Sequence, residues 1–276
     1  TYKWDFGDAT PISTAINPLH NYASTGPFTV KLTATSQYGC IKDSSKILST
    51  VYAAPTSNFT VTAETCLRDS TTFTDGSNGS GNTITNWYWN RDVLGGANYV
   101  DTAQNFKFRY GSAGTYTVKM YFKTDKGCIS DTSTKTLIIN PLPTAIFTNT
   151  SPLCEMRDIT FTPQSVPNVG TITRWYWDMG NTVINNFTNA NPFIQSYTNW
   201  NTYSVKHLVE TNKGCKSDTL TKILNVRPLP KVGFMIPEVC LADAAAVFTD
   251  TTKIADGSQA SFTYNWTFNV TGVIPG

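Results

Sequence analysis

The sequence predicts an all-β chain built from tandem units, and three observations carry that prediction. A seven-residue aromatic strand recurs at a nearly constant interval. Runs that alternate apolar and polar residues follow it in the first three repeats, and no stretch of useful length shows helical apolar spacing. The strand is clearest as Ile172-Thr173-Arg174-Trp175-Tyr176-Trp177-Asp178 and as Ile84-Thr85-Asn86-Trp87-Tyr88-Trp89-Asn90. It returns with Tyr at the first aromatic position in Tyr2-Lys3-Trp4-Asp5 and Tyr264-Asn265-Trp266-Thr267. The second aromatics, Trp4, Trp89, Trp177 and Trp266, are 85, 88 and 89 residues apart. Residues two apart on a strand share a face, so Trp87 with Trp89, and Trp175 with Trp177, are expected in the core together with Trp4 and Trp266. Burying one indole removes roughly 150–250 Å² from water, about 4–6 kcal/mol.

The interval divides the chain into four repeats, 1–53, 54–140, 141–228 and 229–276, the first and last cut short. The first repeat carries Trp4-Asp5-Phe6-Gly7-Asp8, then Pro18-Leu19-His20-Asn21-Tyr22, then Gly26-Pro27-Phe28-Thr29-Val30-Lys31-Leu32. Phe28, Val30 and Leu32 fall on one face of the last run, and Thr29, Lys31 and Thr33 on the other. The second repeat enters through Ala54-Pro55 and places Phe59 and Phe73 ahead of its Trp strand. Asn105-Phe106-Lys107-Phe108-Arg109-Tyr110 stands for the His-containing motif, and Gly114-Thr115-Tyr116-Thr117-Val118-Lys119-Met120 repeats the alternating run. The third follows the same plan from Phe147 and Phe161 to Tyr203-Ser204-Val205-Lys206-His207, and the fourth keeps Phe234 and Phe248. The joints Asn140-Pro141-Leu142-Pro143 and Arg227-Pro228-Leu229-Pro230 are short and stiffened by proline, so the repeats read as beads on a semi-rigid rod.

Composition narrows the function. Apolar residues make up 40% and charged residues 14%, with Thr, Asn and Ser abundant, which suits strands that meet water through hydroxyls and amides. A net charge of +2 gives no field to attract nucleic acid or an anionic membrane, and no apolar run approaches the roughly 20 residues of a membrane span. Residue 1 falls inside a repeat and residue 276 just after a Trp strand, so the chain is expected to be a piece of a longer protein. With only two histidines there is little material for catalysis. His20 stands where sister repeats have Phe108 and Gln195, and His207 where they have Leu32 and Met120, so no enzyme and no cofactor is expected. Asp5 and Asp8 have the spacing of hard-cation ligands, but Asn90, Asp178 and Thr267 replace the first, and Val93, Asn181 and Val270 the second. These side chains are expected to hydrogen-bond a turn, and no metal is assigned. Trp200 replaces small residues of the sister loops and is read as an interface residue, at the joint with the next repeat or with a sugar or partner.

Trp-Asp-Phe-Gly-Asp, Pro-x-His-x-Tyr and Gly-x-Phe-Thr-Val, in that order, resemble the PKD domain, and the resemblance extends more weakly over all four repeats. It implies tandem immunoglobulin-like β-sandwich domains in an extended rod, in an extracellular protein. The six cysteines form two classes, Cys40, Cys128 and Cys215 after a hairpin glycine, and Cys66, Cys154 and Cys240 after a first strand. Such regular placement implies disulfides and an oxidising compartment. Pairing Cys66 with Cys128, 62 residues apart, is the immunoglobulin-like option. The family's topology instead puts the two classes at opposite poles, about 23 Å apart along seven strand residues, beyond the roughly 7 Å limit for bridged Cα atoms. It implies a bond from Cys66 to Cys215 across the joint between repeats, with Cys40, Cys128, Cys154 and Cys240 pairing outside this stretch. Tandem PKD-like units with Gly-Cys hairpins also resemble the large surface adhesins of Bacteroidota, including type IX-exported and gliding proteins. That implies a stalk or filament at the cell surface, with neighbouring repeats, other copies, surface glycans or a substratum as partners. It also implies O-glycosylation at Ser70, Thr102, Thr219 and Thr251, each of which follows an Asp. The alternative is a set of spacer or glycan-binding repeats on an extracellular hydrolase.

Overall fold

The computed structural model describes residues 1–92, 102–240 and 246–267. The chain divides into two compact units, Thr1–Pro141 and Leu142–Gly276. In the first unit, β1 (Tyr2–Asp5), β2 (Phe28–Thr35) and β3 (Ile41–Leu48) form a three-stranded antiparallel sheet. After it come β4 (Phe59–Val61), β5 (Glu64–Cys66), β6 (Thr71–Asp75), β7 (Ile84–Asn90), β8 (Phe106–Phe108), β9 (Gly114–Thr124) and β10 (Ser133–Asn140). These seven make a β-sandwich with the sheets β4-β6-β8 and β5-β10-β9-β7, all neighbours antiparallel except β5, which runs parallel to β10.

The second unit repeats the design. Its strands are β11 (Phe147–Asn149), β12 (Ile159–Pro163), β13 (Ile172–Asp178), β14 (Ile184–Phe187), β15 (Phe193–Gln195), β16 (Asn201–Thr211) and β17 (Leu220–Val226). The sheets are β11-β12-β15 and β14-β13-β16-β17. Beyond them β18 (Phe234–Met235) pairs with β19 (Thr249–Asp250), and a 3-10 turn spans Ser258–Ser261. The architecture is all-β, in immunoglobulin-like sandwiches.

The period-two pattern decides which side chains enter each core. Along β9 the residues Val118, Met120 and Phe122 are fully buried, while Lys119 and Lys123 on the other face meet water. Opposite them Phe59 and Phe73 meet the edge of Trp89 at 5.0 and 5.9 Å. Phe147 and Phe161 stand to Trp177 at 5.0 and 6.1 Å, so one aromatic triad centres both sandwiches.

The aromatic strand does not bury its two indoles equally. Trp89 and Trp177 are sealed, and Trp175 is nearly so. Trp87 sits at the rim, half-buried, with its Nε1 donating to Asp75 Oδ2 at 2.9 Å. A register shift lies between Ile84 and Asn86 at the start of β7, and β13 has the same shift between Ile172 and Arg174. Trp4 is half-buried, and among the described residues of its repeat there is one sheet, β1-β2-β3. Trp266, expected in a core, is corrected by the structure. It keeps its neighbours Phe234 and Phe248 at 5.5 and 6.0 Å, yet it is 41% exposed. Among the described residues no strand of the β9 type lies over it. Val93, Val270 and the end of the fourth repeat lie outside the described residues.

Candidate functional site

The two poles of each complete sandwich hold the cysteines, and the backbone there is built the same way twice. At one pole a Ser or Thr four residues ahead of the cysteine closes the last hairpin. Cys128 N donates to Thr124 Oγ1 at 3.2 Å, Cys215 N to Thr211 Oγ1 at 3.3 Å, and Cys40 N to Ser36 Oγ at 3.1 Å. The glycine before each cysteine has φ near +80°, which glycine adopts without Cβ strain. The pattern Ser/Thr-x-x-Gly-Cys that makes this closure is visible in the sequence.

At the other pole the first turn of each sandwich lies beside the end of its last strand. Cys66 pairs with Asn140, the final residue of β10, and Cys154 with Arg227 just after β17. Leu67 N donates to Asn140 O at 2.8 Å, and Glu155 N to Arg227 O at 2.9 Å. Cys66 and Cys128 are therefore separated by the length of β10, about 23 Å at strand rise, too far for a bridge inside one sandwich. Cys66 and Cys215 are each in disulfide form, and Cys40, Cys128 and Cys154 are free thiols.

Each pole is tied to the chain that enters or leaves it. In the second unit Asn168 Nδ2 donates to Leu142 O at 2.6 Å, and Asn212 N donates to Thr171 O at 2.8 Å. The loop 166–171 thus joins the entering chain to the Gly214-Cys215 hairpin at one pole. At the exit pole Glu155 Oε2 accepts from Trp200 N and Oε1 from Leu229 N, both at 2.9 Å. This carboxylate was not anticipated, since the sister position is Leu67. It anchors the Trp200 loop by its backbone and leaves the indole 45% exposed.

The remaining candidates take structural places. Asp5, Asn90 and Asp178 each accept from the N–H two residues on, at 3.0, 2.9 and 3.0 Å. Asp8 Oδ1 accepts from the Thr10 hydroxyl at 2.6 Å, and its Oδ2 lies 2.7 Å from His20 Nε2. The Thr10 hydroxyl first, and His20 after it, hold the Asp8 carboxyl below the usual carboxylate range. His20 itself stacks flat on Phe6 at 3.9 Å. His207 is fully buried, stacked on Trp177 at 3.9 Å, with Phe147 edge-on. A carbonyl can only accept, so His207 Nδ1 carries the ring proton to Tyr176 O at 3.1 Å, and Nε2 takes a bond from Ser165 Oγ at 3.0 Å. Burial brings His207 down to about 4.

Tyr22, Tyr110 and Tyr197 each donate to a carbonyl just past the Trp strand, at 3.2, 3.2 and 3.0 Å. Burial pushes Tyr197 up to about 12 and raises Tyr110 as well. Among the described residues no three metal-ligating side chains come together, and no helix is long and apolar enough to cross a membrane. Ser70, Thr102, Thr219 and Thr251 are all exposed.

These sandwiches, with cysteine-bearing poles and closed aromatic cores, define a class of modular immunoglobulin-like protein. The family model of the PKD domain matches residues 1–51. Solved structures similar to the chain include the PKD1 domain of the Vibrio cholerae metalloprotease PrtV, 26% identical over 32% of this chain and 98% of that one, TM-score 0.27. The PKD1 domain of Vibrio anguillarum Epp is 24% identical over 32% and 96%, TM-score 0.27. The fibronectin(III)-like modules of Clostridium thermocellum CbhA are 10% identical over 62% and 95%, TM-score 0.35. No curated protein matches the chain.

Proposed function

We propose that the chain is a non-catalytic structural and adhesive region of a secreted or cell-surface protein, its four repeats strapped into a stiff stalk by disulfides between neighbours. In this reading Cys66 bonds to Cys215. One observation supports it above others: the disulfide-bonded cysteines come one from each class, and each class has its own pole. Cys66 lies at the pole from which β10 leaves toward Pro141, and Cys215 at the pole that Leu142 enters. In sequence, only Pro141 lies between Asn140 at the end of the first pole's strand and Leu142 at the second pole. A covalent strap beside a proline linker makes bending costlier and carries pulling force around a small interface.

The partners are neighbouring repeats, with surface glycans or a substratum reached by a tip that the stalk presents, as in the Bacteroidota adhesins the sequence resembles. The exposed Trp200 indole belongs to the joint with the following repeat, since Glu155 holds its loop and Leu229 together. Peptide mapping under non-reducing conditions tests the assignment. A linked Cys66–Cys215 peptide is expected; a Cys66–Cys128 or Cys154–Cys215 peptide overturns both the bridge and the strapped stalk.

A further inference from the structure

Each complete repeat is entered at one pole and left at the other, so a pull along the chain draws the strand ahead of its first turn past its last strand. In the second repeat these are β5 and β10, which run parallel. The bonds between them lie across the pull and share it, whereas an antiparallel hairpin pulled from its open end parts one bond at a time. The ladder sets Glu64–Cys66 against Ile138–Asn140. Ile138 N extends it to Ala63 O, and Leu67 N to Asn140 O, both at 2.8 Å. Asn140 Nδ2 adds a bond to Glu64 Oε1 at 3.0 Å.

The third repeat keeps only the end of this ladder. Cys154 bridges Arg227, with Arg227 N donating to Leu153 O and Glu155 N to Arg227 O, both at 2.9 Å. The counterpart of the bond from Ile138 to Ala63 would join Asn225 N to Ser151 O, and among the described residues it is not made. Pro152 stands in the place of Glu64, and its ring holds φ near −65°, away from the roughly −120° of a parallel strand. Elsewhere the two repeats match. Thr56 pairs with Asn78 as Thr144 does with Val166, and β4 and β11 each pair over three residues. Glu155 Oε1 also reaches Leu229 N, but that carboxylate sits on a rotatable side chain that follows the linker before it resists.

We propose that the chain answers tension in a graded way, the third repeat yielding first and the second holding. Forced unfolding is governed by the unfolding barrier, so the difference lies in these few bonds at the exit pole and not in the two aromatic cores, which are built alike. Under load the chain lengthens by one repeat before the other is lost. The inference rests on the stalk reading for its use, and not on a bond between Cys66 and Cys215.

Single-molecule stretching of the whole chain between its ends, in a reducing agent, tests it. The reducing agent removes any bridge, so the outcome does not depend on how the cysteines pair. Two long steps are expected at unequal forces, each of about 300 Å from a reach of about 3.4 Å per residue. Their lengths are nearly equal, so two variants identify them. Leu67 is the second residue of a tight turn in which Arg68 has a φ of 78° and Asp69 N donates to Cys66 O at 3.0 Å, a type II geometry that accepts proline at that position. Leu67→Pro therefore deletes the bond to Asn140 O and keeps the turn, and it should lower the higher force only. Glu155→Pro, in the matching turn where Met156 has a φ of 56°, should lower the lower force only. Near-ultraviolet circular dichroism, reporting the sealed Trp89 and Trp177, shows that both variants remain folded. Equal forces in the wild-type chain, a Leu67→Pro chain in which the lower step moves instead, or forces that neither variant changes overturns the proposal.

Discussion

Trp177 and His207 lie ring on ring in the third repeat, and two residue-scale predictions follow from that contact. Trp177→Ala should cost about 3–5 kcal/mol, because the indole meets Phe147, Phe161, Phe193 and His207 and its loss leaves a large cavity. Trp266→Ala, at a ring already 41% exposed, should cost much less. Thermal unfolding separates the two, and equal losses would contradict the assigned burial. His207 makes the third repeat acid-sensitive. Its pKa is about 4 folded, against roughly 6.5 unfolded, so above pH 6.5 both states are neutral and nothing is gained or lost. As pH falls from 6.5 to 4 the unfolded chain takes up a proton that the folded one refuses. Stability then declines by about 3 kcal/mol. His207→Met, the residue of the second repeat, should remove that slope; urea midpoints that track wild type between pH 7 and 4 would count against it.

At the scale of elements, the turn after the aromatic strand is the most constrained. Gly7, Asp92 and Gly180 occupy equivalent positions there, all with φ between 60° and 76°. A Cβ at Gly180 would come within 2.9 Å of the Ser204 backbone, and one at Gly7 within 2.5 Å of the Thr29 carbonyl oxygen. Asp92 meets the same strand differently, accepting from Thr117 N at 3.0 Å. Gly180→Ala therefore combines a left-handed φ with a backbone clash, and should destabilise by about 1–3 kcal/mol in chemical denaturation. A midpoint unchanged from wild type would refute the close approach. The hairpins behave oppositely. No atom lies within 4 Å of a Cβ built at Gly214, so Gly214→Ala meets only the φ penalty, about 1 kcal/mol.

For the molecule as a whole, cysteine placement and surface chemistry are the levers. Reduction of the chain should leave both aromatic cores intact, because their residues pack within each sandwich and do not depend on Cys66 or Cys215. Near-ultraviolet circular dichroism before and after a reducing agent checks this, and loss of the Trp signal on reduction would reject it. We propose that the four exposed hydroxyls at Ser70, Thr102, Thr219 and Thr251 are the O-glycosylation sites that the resemblance implies. Intact-mass measurement of native protein should exceed the bare polypeptide, and equality would dispose of the decoration.

Period was what the sequence determined alone. Residues 85 to 89 positions apart recur because each repeat solves the same packing problem, and alternation at Val118, Met120 and Phe122 follows from the two-residue pitch of a strand. The division of cysteines into two classes was equally legible, since a hairpin glycine marks one of them. Tertiary structure decided what local pattern cannot encode. Trp87 and Trp89 are alike in sequence, yet Trp87 stays at the rim, donating to Asp75, while Trp89 is sealed. Glu155 gains its role from the spatial neighbours Trp200 and Leu229, 45 and 74 residues away. Trp266 has the same local motif as Trp177, but burial requires a second sheet, and that depends on strands far along the chain.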